Sequence, residues 1–385
     1  MKKKIKILRI ISSLDPKNGG PSKTIIDGSL NLIKEGFDVN ILTHDKKNSN
    51  FIKDKKIKVI NKGPAFGNYR FNIKFFLWLF KNRFSYDIFI IHGIWEFNTL
   101  ISRFLLKNNY YVFSHGQLDP FFKSQKLKKI KKQIYWFLFE RKNLLFSKSL
   151  LLTSKNEKKL LNNTFVNTKN IKKKIIPYGI QKPKFDKKKC LKIFYKKFPM
   201  LKNKKFFIYL GRFHKKKGCE ILIKCVKKMI ENNINMYVFL AGPDNKYKNS
   251  IIKLSKKYNL SNHLIWSNII LDKMKWGAVS ASEAMVLPSH GENFGVSLVE
   301  SLSCSKPILI TNKVNIYPEI HRFKAGLISN NNVNSFFNII KKFYNLPKTK
   351  INEMKKNSYK CFQKNFNVAT NTNNFGKFLI KNLYN

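Results

Sequence analysis

Two glutamates, Glu292 and Glu300, stand eight residues apart, and Phe294-Gly295-Val296 lies between them. Upstream, Val286 and Leu287 close an apolar run that Pro288, Ser289 and Gly291 break. From Val296 onward, Val296, Val299 and Leu302 fall at helical spacing. Pro307 stops that helix, and Ile308-Leu309-Ile310 reads as a buried strand. The stretch is therefore strand end, loop, helix, strand. At the helix start the amides of Phe294, Gly295 and Val296 lack intrahelical partners and face the positive end of the helix dipole, a setting for a diphosphate. Carboxylates on either side accept hydrogen bonds from hydroxyls. A ligand with a diphosphate in its middle and a polyol at each end fits this pattern, and a nucleotide-sugar is such a ligand.

The elements needed to position such a site can be read along the chain. Residues 5–12, IKILRIIS, form a first strand. The loop LDPKNGGPSKT follows, then a helix over 22–35 and a strand over 39–43. That βαβ opening argues for a parallel sheet, although the loop is not the G-x-G-x-x-G dinucleotide fingerprint. Further strands are expected at 57–61, 87–92 and 110–114, the last ending at His115-Gly116, with an aromatic helix over 71–84. After the stretch QKPKFDKKKC, read as a linker, a second series begins. It has a strand at 205–210, the loop GRFHKKKG, a helix at 219–230, a strand at 236–241 leading into Gly242, and a short strand at 264–266. Helices at 273–282 and 333–343 and a last one at 366–384 follow. The reading is α/β, with two Rossmann-like parallel-sheet domains facing a central cleft. The boundaries are 1–180, 181–365 and a closing helix at 366–385.

The run PSHGENFGVSLVESLSCSKPILIT resembles the Glu-x7-Glu signature of the retaining glycosyltransferases of family 4, which have the GT-B fold. GRFHKKKG is similar to the family's G-R-x4-K-G loop, and SHGQLDPFF resembles polysaccharide-building members. The resemblance implies transfer of a sugar from a nucleoside diphosphate sugar to a hydroxyl of a glycan or lipid-linked glycan, with retention, in cell-surface polysaccharide or lipopolysaccharide synthesis. It implies that the first domain is acceptor-side, that the second binds the nucleotide-sugar, and that the closing helix returns to the first. It implies catalytic roles for His115, Arg212, Lys217 and Glu292. Arg212 and Lys217 would neutralise the leaving diphosphate, Glu292 would meet sugar hydroxyls, and His115 would hydrogen-bond the transferred sugar. Donor contacts would come from Gly19, Gly20, Gly242, Asn293, Phe294, Gly295 and Val296, with Glu300 on the ribose. Lys215 and Lys216 read as solvent charges. Two departures stand out: Ser305 replaces the usual Gly before the second strand, and Tyr178 replaces the usual Asn in IIPYGI. No Asp-x-Asp occurs, so no metal is expected, and no cofactor beyond the donor.

Composition limits the partners. The net charge is +55, but only seven of the 76 basic residues are Arg, and Lys is spread along the whole 385-residue chain. That spread argues against a nucleic-acid stripe. Lys126 to Lys132 lead into IYWFLF, a basic and aromatic pattern that suits an anionic membrane surface as well as a core helix with a solvated side. Five Cys without a CxxC pair suit a reducing compartment. A cytoplasmic place is expected, with attachment to the inner face of the plasma membrane open. Two rivals stay open at this stage: a non-catalytic basic binding module, and another GT-B enzyme such as a nucleotide-sugar epimerase.

Overall fold

The structure, a computed structural model, describes residues 4–16, 20–52, 54–120 and 126–383, with backbone only for 126–129. The chain divides into two units, residues 1–181 with 366–385, and residues 182–365.

The first unit holds a seven-stranded parallel sheet. Its strands are β1 (Lys6–Ile11), β2 (Asp38–Lys46), β3 (Lys58–Gly63), β4 (Ile88–His92), β5 (Tyr110–Phe113), β6 (Ser149–Leu152) and β7 (Lys173–Ile175). Their order is β3-β2-β1-β4-β5-β6-β7. β4 and β5 are buried at every position, which is why residues 88–91 and Tyr110–Phe113 read as apolar runs: a parallel sheet is covered on both faces. One face carries α2 (Ile73–Asn82), α3 (Phe97–Leu105), α4 (Lys126–Tyr135), a π-helical turn Trp136–Glu140 and α5 (Arg141–Leu145). Phe75, Leu79, Ile101, Trp136 and Leu144 from this layer join Leu8, Phe89, Tyr110 and Val112 of the sheet in one core cluster. On the other face α1 (Gly20–Lys34) packs Ile25 against Ile11, Leu14 and Ile41. The closing helix Val368–Lys381 lies beside it, with Gly376 against the Phe37 ring and Phe378 edge-on to Tyr111.

The second unit has a six-stranded parallel sheet: β8 (Phe206–Leu210), β9 (Tyr237–Ala241), β10 (Leu264–Ser267), β11 (Met285–Leu287), β12 (Ile308–Thr311) and β13 (Gly326–Ser329). The order β10-β9-β8-β11-β12-β13 places the reversal of winding between β8 and β11. In open sheets of this kind the ligand crevice lies beyond the strand C-termini at that reversal. The helices that matter to it are Cys219–Glu231, Asp272–Ala281 and Val296–Ser303.

The strand expectations agree with the structure to within a few residues at each end. Among the described residues, five helices escape the expectations: Phe97–Leu105, Lys187–Lys197, Lys246–Lys257, Tyr317–Phe323 and Lys348–Asn365. The last is rich in Lys and Asn with few apolar positions, so its period is faint. The expected linker is shorter than read, because a helix already starts at Lys187, capped by the Asp186 carboxylate on the Lys189 amide.

Candidate active site

The second unit builds its site from two loops that leave β8 and β11. β8 ends at Leu210, and Gly211-Arg212 turns outward. A short 3-10 turn, Lys215–Lys217, follows and closes at Gly218 with φ 65°. A Cβ on Gly218 would stand 1.9 Å from the Pro288 carbonyl oxygen, so only glycine lets the two loops touch here. The Lys216 carbonyl then accepts from the His290 amide and from Ser289 Oγ, each at 2.8 Å. The cation-bearing loop is thus stitched to the carboxylate-bearing loop. Gly242, at the end of β9, lies against the same turn: a Cβ there would be 2.0 Å from the Gly211 carbonyl oxygen.

Glu292 is held by its backbone before its side chain does anything. Its amide donates to the Lys313 carbonyl at 3.0 Å, and its carbonyl accepts from the Asn315 amide at 2.8 Å. Its carboxylate pairs with Lys217 Nζ and accepts from the Asn293 amide at 3.0 Å. Burial pushes this carboxyl up, but the Lys217 charge and hydrogen bond, helped by Lys216, outweigh that and hold it below the usual range. Arg212 is exposed, and among the described residues its guanidinium has no hydrogen-bond or ion-pair partner.

The helix Val296–Ser303 begins at Gly295, φ 68°, with no side chain capping its first amides. Ser297 Oγ donates to the Leu210 carbonyl at 2.9 Å, which fixes this helix start beside the end of β8. Glu300 points inward at 4% exposure and pairs with Lys275 Nζ at 2.8 Å. The Asn293 carboxamide accepts from Asn315 Nδ2 at 3.0 Å, and the Phe294 ring is buried. These two residues therefore face the helix start chiefly through their backbones. The helix ends with Ser305 in the left-handed region, φ 59°, its amide donating to the Leu302 carbonyl. That is the place a glycine would take.

In the first unit the reversal lies between β1 and β4, and buried polar groups meet there. Arg9 Nε donates to His92 Nε2 at 3.0 Å, and Arg9 Nη1 donates to Ser29 Oγ at 3.0 Å. Arg cannot accept, so His92 Nε2 is an acceptor. Burial, with Arg9 nearby, holds His92 well below the usual range, so the ring is neutral and its proton sits on Nδ1. Nδ1 therefore donates to His115 Nε2 at 3.0 Å. Burial pushes His115 down to about 3, so this ring is neutral too, and its Nδ1–H donates to the Tyr178 oxygen at 2.6 Å. Both ring nitrogens of His115 are taken up inside this unit. The His115-Gly116 turn, with φ 49° and 75°, is anchored by Glu157, whose Oε1 accepts from Ser114 Oγ at 2.6 Å and the Gly116 amide at 2.9 Å. Gly20 opens α1, and Gly19 lies outside the described residues.

The structure thus gathers Arg212, Lys217, Gly242, Glu292, Asn293, Gly295, Val296 and Glu300 around one sheet reversal, and places His115 and Gly20 in the other unit. Several participants had no legible signal. Lys275 is one lysine among many. Arg9 hides in a strand. Lys216, read as a solvent charge, is half-buried and supplies the carbonyl tie. Glu157 stands at the start of the helix Lys155–Thr164, where its amide donates to Ser154 Oγ at 3.0 Å while its carboxylate turns to the His115 loop.

Two parallel α/β sheets, each collecting polar groups at its own reversal, are the architecture of GT-B glycosyltransferases. Residues 192–361 match the family Glycosyl transferases group 1, and the chain carries a domain of that family. An alpha-1,3/1,6-mannosyltransferase of Dictyostelium discoideum is 26% identical over 195 residues, 44% of this chain and 46% of that protein. The chain therefore spans less than half of that curated relative. Sucrose-phosphate synthase of Thermosynechococcus elongatus has the same fold, with a TM-score of 0.80 at 18% identity over 99% of each chain. HepE of Anabaena, solved with UDP and glucose, gives 0.76 at 14% identity over 98% of this chain and 100% of that one.

Proposed function

We propose that this chain transfers a sugar from a nucleoside diphosphate sugar to a hydroxyl of a glycan or lipid-linked glycan, with retention at the anomeric carbon. The observation that carries the reading is the stitched pair of loops at the β8/β11 reversal, with two cations and two carboxylates around an uncapped helix start. In this reading Arg212, Lys217 and the amides at Gly295 and Val296 take the diphosphate, where added negative charge on the leaving group meets fixed donors. Glu292 accepts from hydroxyls of the donor sugar and Glu300 from the ribose. Each carboxylate already holds a lysine, so the ligand's hydroxyls join an ordered pair rather than a loose one. The bond from the anomeric carbon to the diphosphate breaks and a bond to the acceptor oxygen forms. The acceptor's proton leaves with the released diphosphate.

His115 enters by exchanging its bond to Tyr178 or His92 for one to the sugar. Retention, and a place in polysaccharide or lipopolysaccharide synthesis, are carried from the family resemblance. UDP in the Anabaena relative supports a nucleoside diphosphate as the donor's leaving group. Free thiols at all five cysteines suit work in the cytoplasm. No metal is assigned a step, because the two cations and the helix start meet the charge. The test is a thermal-shift screen of nucleoside diphosphates and their sugars. A ligand at about 100 times its Kd adds ~2.7 kcal/mol of stability. Retention is then read from the anomeric configuration of the product. No shift with any nucleotide would end the proposal.

A further inference from the structure

The layer of helices that covers one face of the first unit's sheet is apolar on its outer side as well. On α2, Phe75 and Leu79 point into the core, while Ile73, Leu77, Phe80 and Phe84 fall four, three and four residues apart on the opposite side and are exposed. Phe84 is 86% exposed. The same happens in α4 and the π turn: Trp136 is buried, while Ile130, Ile134 and Phe137 form an exposed stripe at helical spacing. A helix of a water-facing layer normally turns polar residues outward. An exposed apolar surface running across several elements marks something that covers it.

The elements form one surface. Tyr69, which precedes α2, shares a hydroxyl contact of 2.8 Å with Tyr135 of α4. Arg103 of α3 lies over the rings of both Phe104 and Phe146, at 4.7 and 5.7 Å. Arg83 lies over Phe80 and Phe84, at 3.9 and 4.5 Å. The charge on this layer has one sign. Residues 66–84 and 97–113 contain no Asp or Glu, and residues 126–148 contain Glu140 alone. Glu140 is fully buried, its carboxylate bound to the Trp95 amide and to Thr99 Oγ1. Every exposed charge on these three stretches is therefore Lys or Arg.

Exposed aromatic and aliphatic stripes framed only by cations match an anionic lipid surface. Rings and aliphatic chains enter the boundary between headgroups and acyl chains, and the cations meet lipid phosphates. We infer that the outer face of α2, α3 and the 130–146 segment docks on an anionic bilayer. A protein partner with an acidic face would meet the same charges but would call for shape and acceptor groups opposite the rings; a fluid bilayer asks only for depth and charge. The inference goes beyond the transfer reading and stands without it.

The test uses the full chain with no donor or acceptor, in flotation with vesicles of phosphatidylcholine alone or mixed with phosphatidylglycerol. The wild type floats with the anionic vesicles and not with the neutral ones. The triple change Leu77→Ser, Phe80→Ser, Phe84→Ser removes only exposed groups, so its melting temperature holds while vesicle affinity falls ~10-fold or more. Lys81→Glu with Arg83→Glu weakens binding likewise, and Lys256→Glu with Lys257→Glu, on the second unit, leaves it unchanged. The inference is overturned if the triple Ser chain binds as well as the wild type. It is also overturned if the lysine changes in the second unit weaken binding equally, since attraction would then be to total charge. A wild-type dimer that the triple change dissolves, with vesicle binding unaltered, would assign the face to a second copy instead.

Discussion

Arg212 and Lys217 share a loop and, in the proposed reaction, a ligand, but their removal has different costs. Lys217 neutralises Glu292 in a setting where the two side chains are 21% and 16% exposed. Exposed pairs are worth about 0–1 kcal/mol, and breaking a fully buried one costs about 3–5 kcal/mol. A pair at this depth falls between, so Lys217→Met should cost ~2 kcal/mol and lower the unfolding temperature by roughly 4–8 °C. Arg212 is exposed, with no partner among the described residues, so Arg212→Met should change stability by less than ~0.5 kcal/mol. Each variant also loses a charge-assisted contact to the diphosphate, worth ~1.5–3 kcal/mol, or roughly 10- to 100-fold in Kd. The double variant Lys217→Met, Glu292→Gln removes the orphaned charge and should regain most of the lost stability. Calorimetry with and without a nucleoside diphosphate reads both effects. Equal destabilisation by the two single changes, or no recovery in the double variant, would refute the pairing argument.

Two further outcomes follow from single groups. Burial pushes the Glu140 carboxyl from 4.5 up to about 7, so its contribution to stability is full below about pH 4.5 and is lost as pH rises to about 7. The loss is on the order of 3 kcal/mol. Glu140→Gln should therefore gain on the wild type between pH 5 and pH 8 in thermal unfolding, and parallel curves would count against it. Ser305 holds φ 59° at the end of the helix Val296–Ser303, so Ser305→Gly should stabilise by ~0.5–1 kcal/mol; a lower melting temperature would contradict this.

The sequence by itself determined the parallel α/β class, because strands buried on both faces are apolar along nearly their whole length, as Ile88–His92 and Ile308–Thr311 are up to their last residues. It also determined the helix start at Gly295 and the loop with Arg212 and Lys217, because turn glycines and paired spacing are local features. Tertiary structure alone decided which charges meet. Lys275 and Glu300 are distant in the chain, and any of many lysines could have stood there. Arg9, His92, His115 and Tyr178 form a hydrogen-bond chain of fixed direction only because β1 and β4 are neighbours in the sheet and the turn at Tyr178 returns to the end of β5. The outward stripe of α2 was apolar in the sequence with nothing to mark it as surface, and residues 130–137 suited a membrane surface as well as a core helix. Only packing, which spends Phe75, Leu79 and Trp136 inward, leaves the other side of each helix facing out.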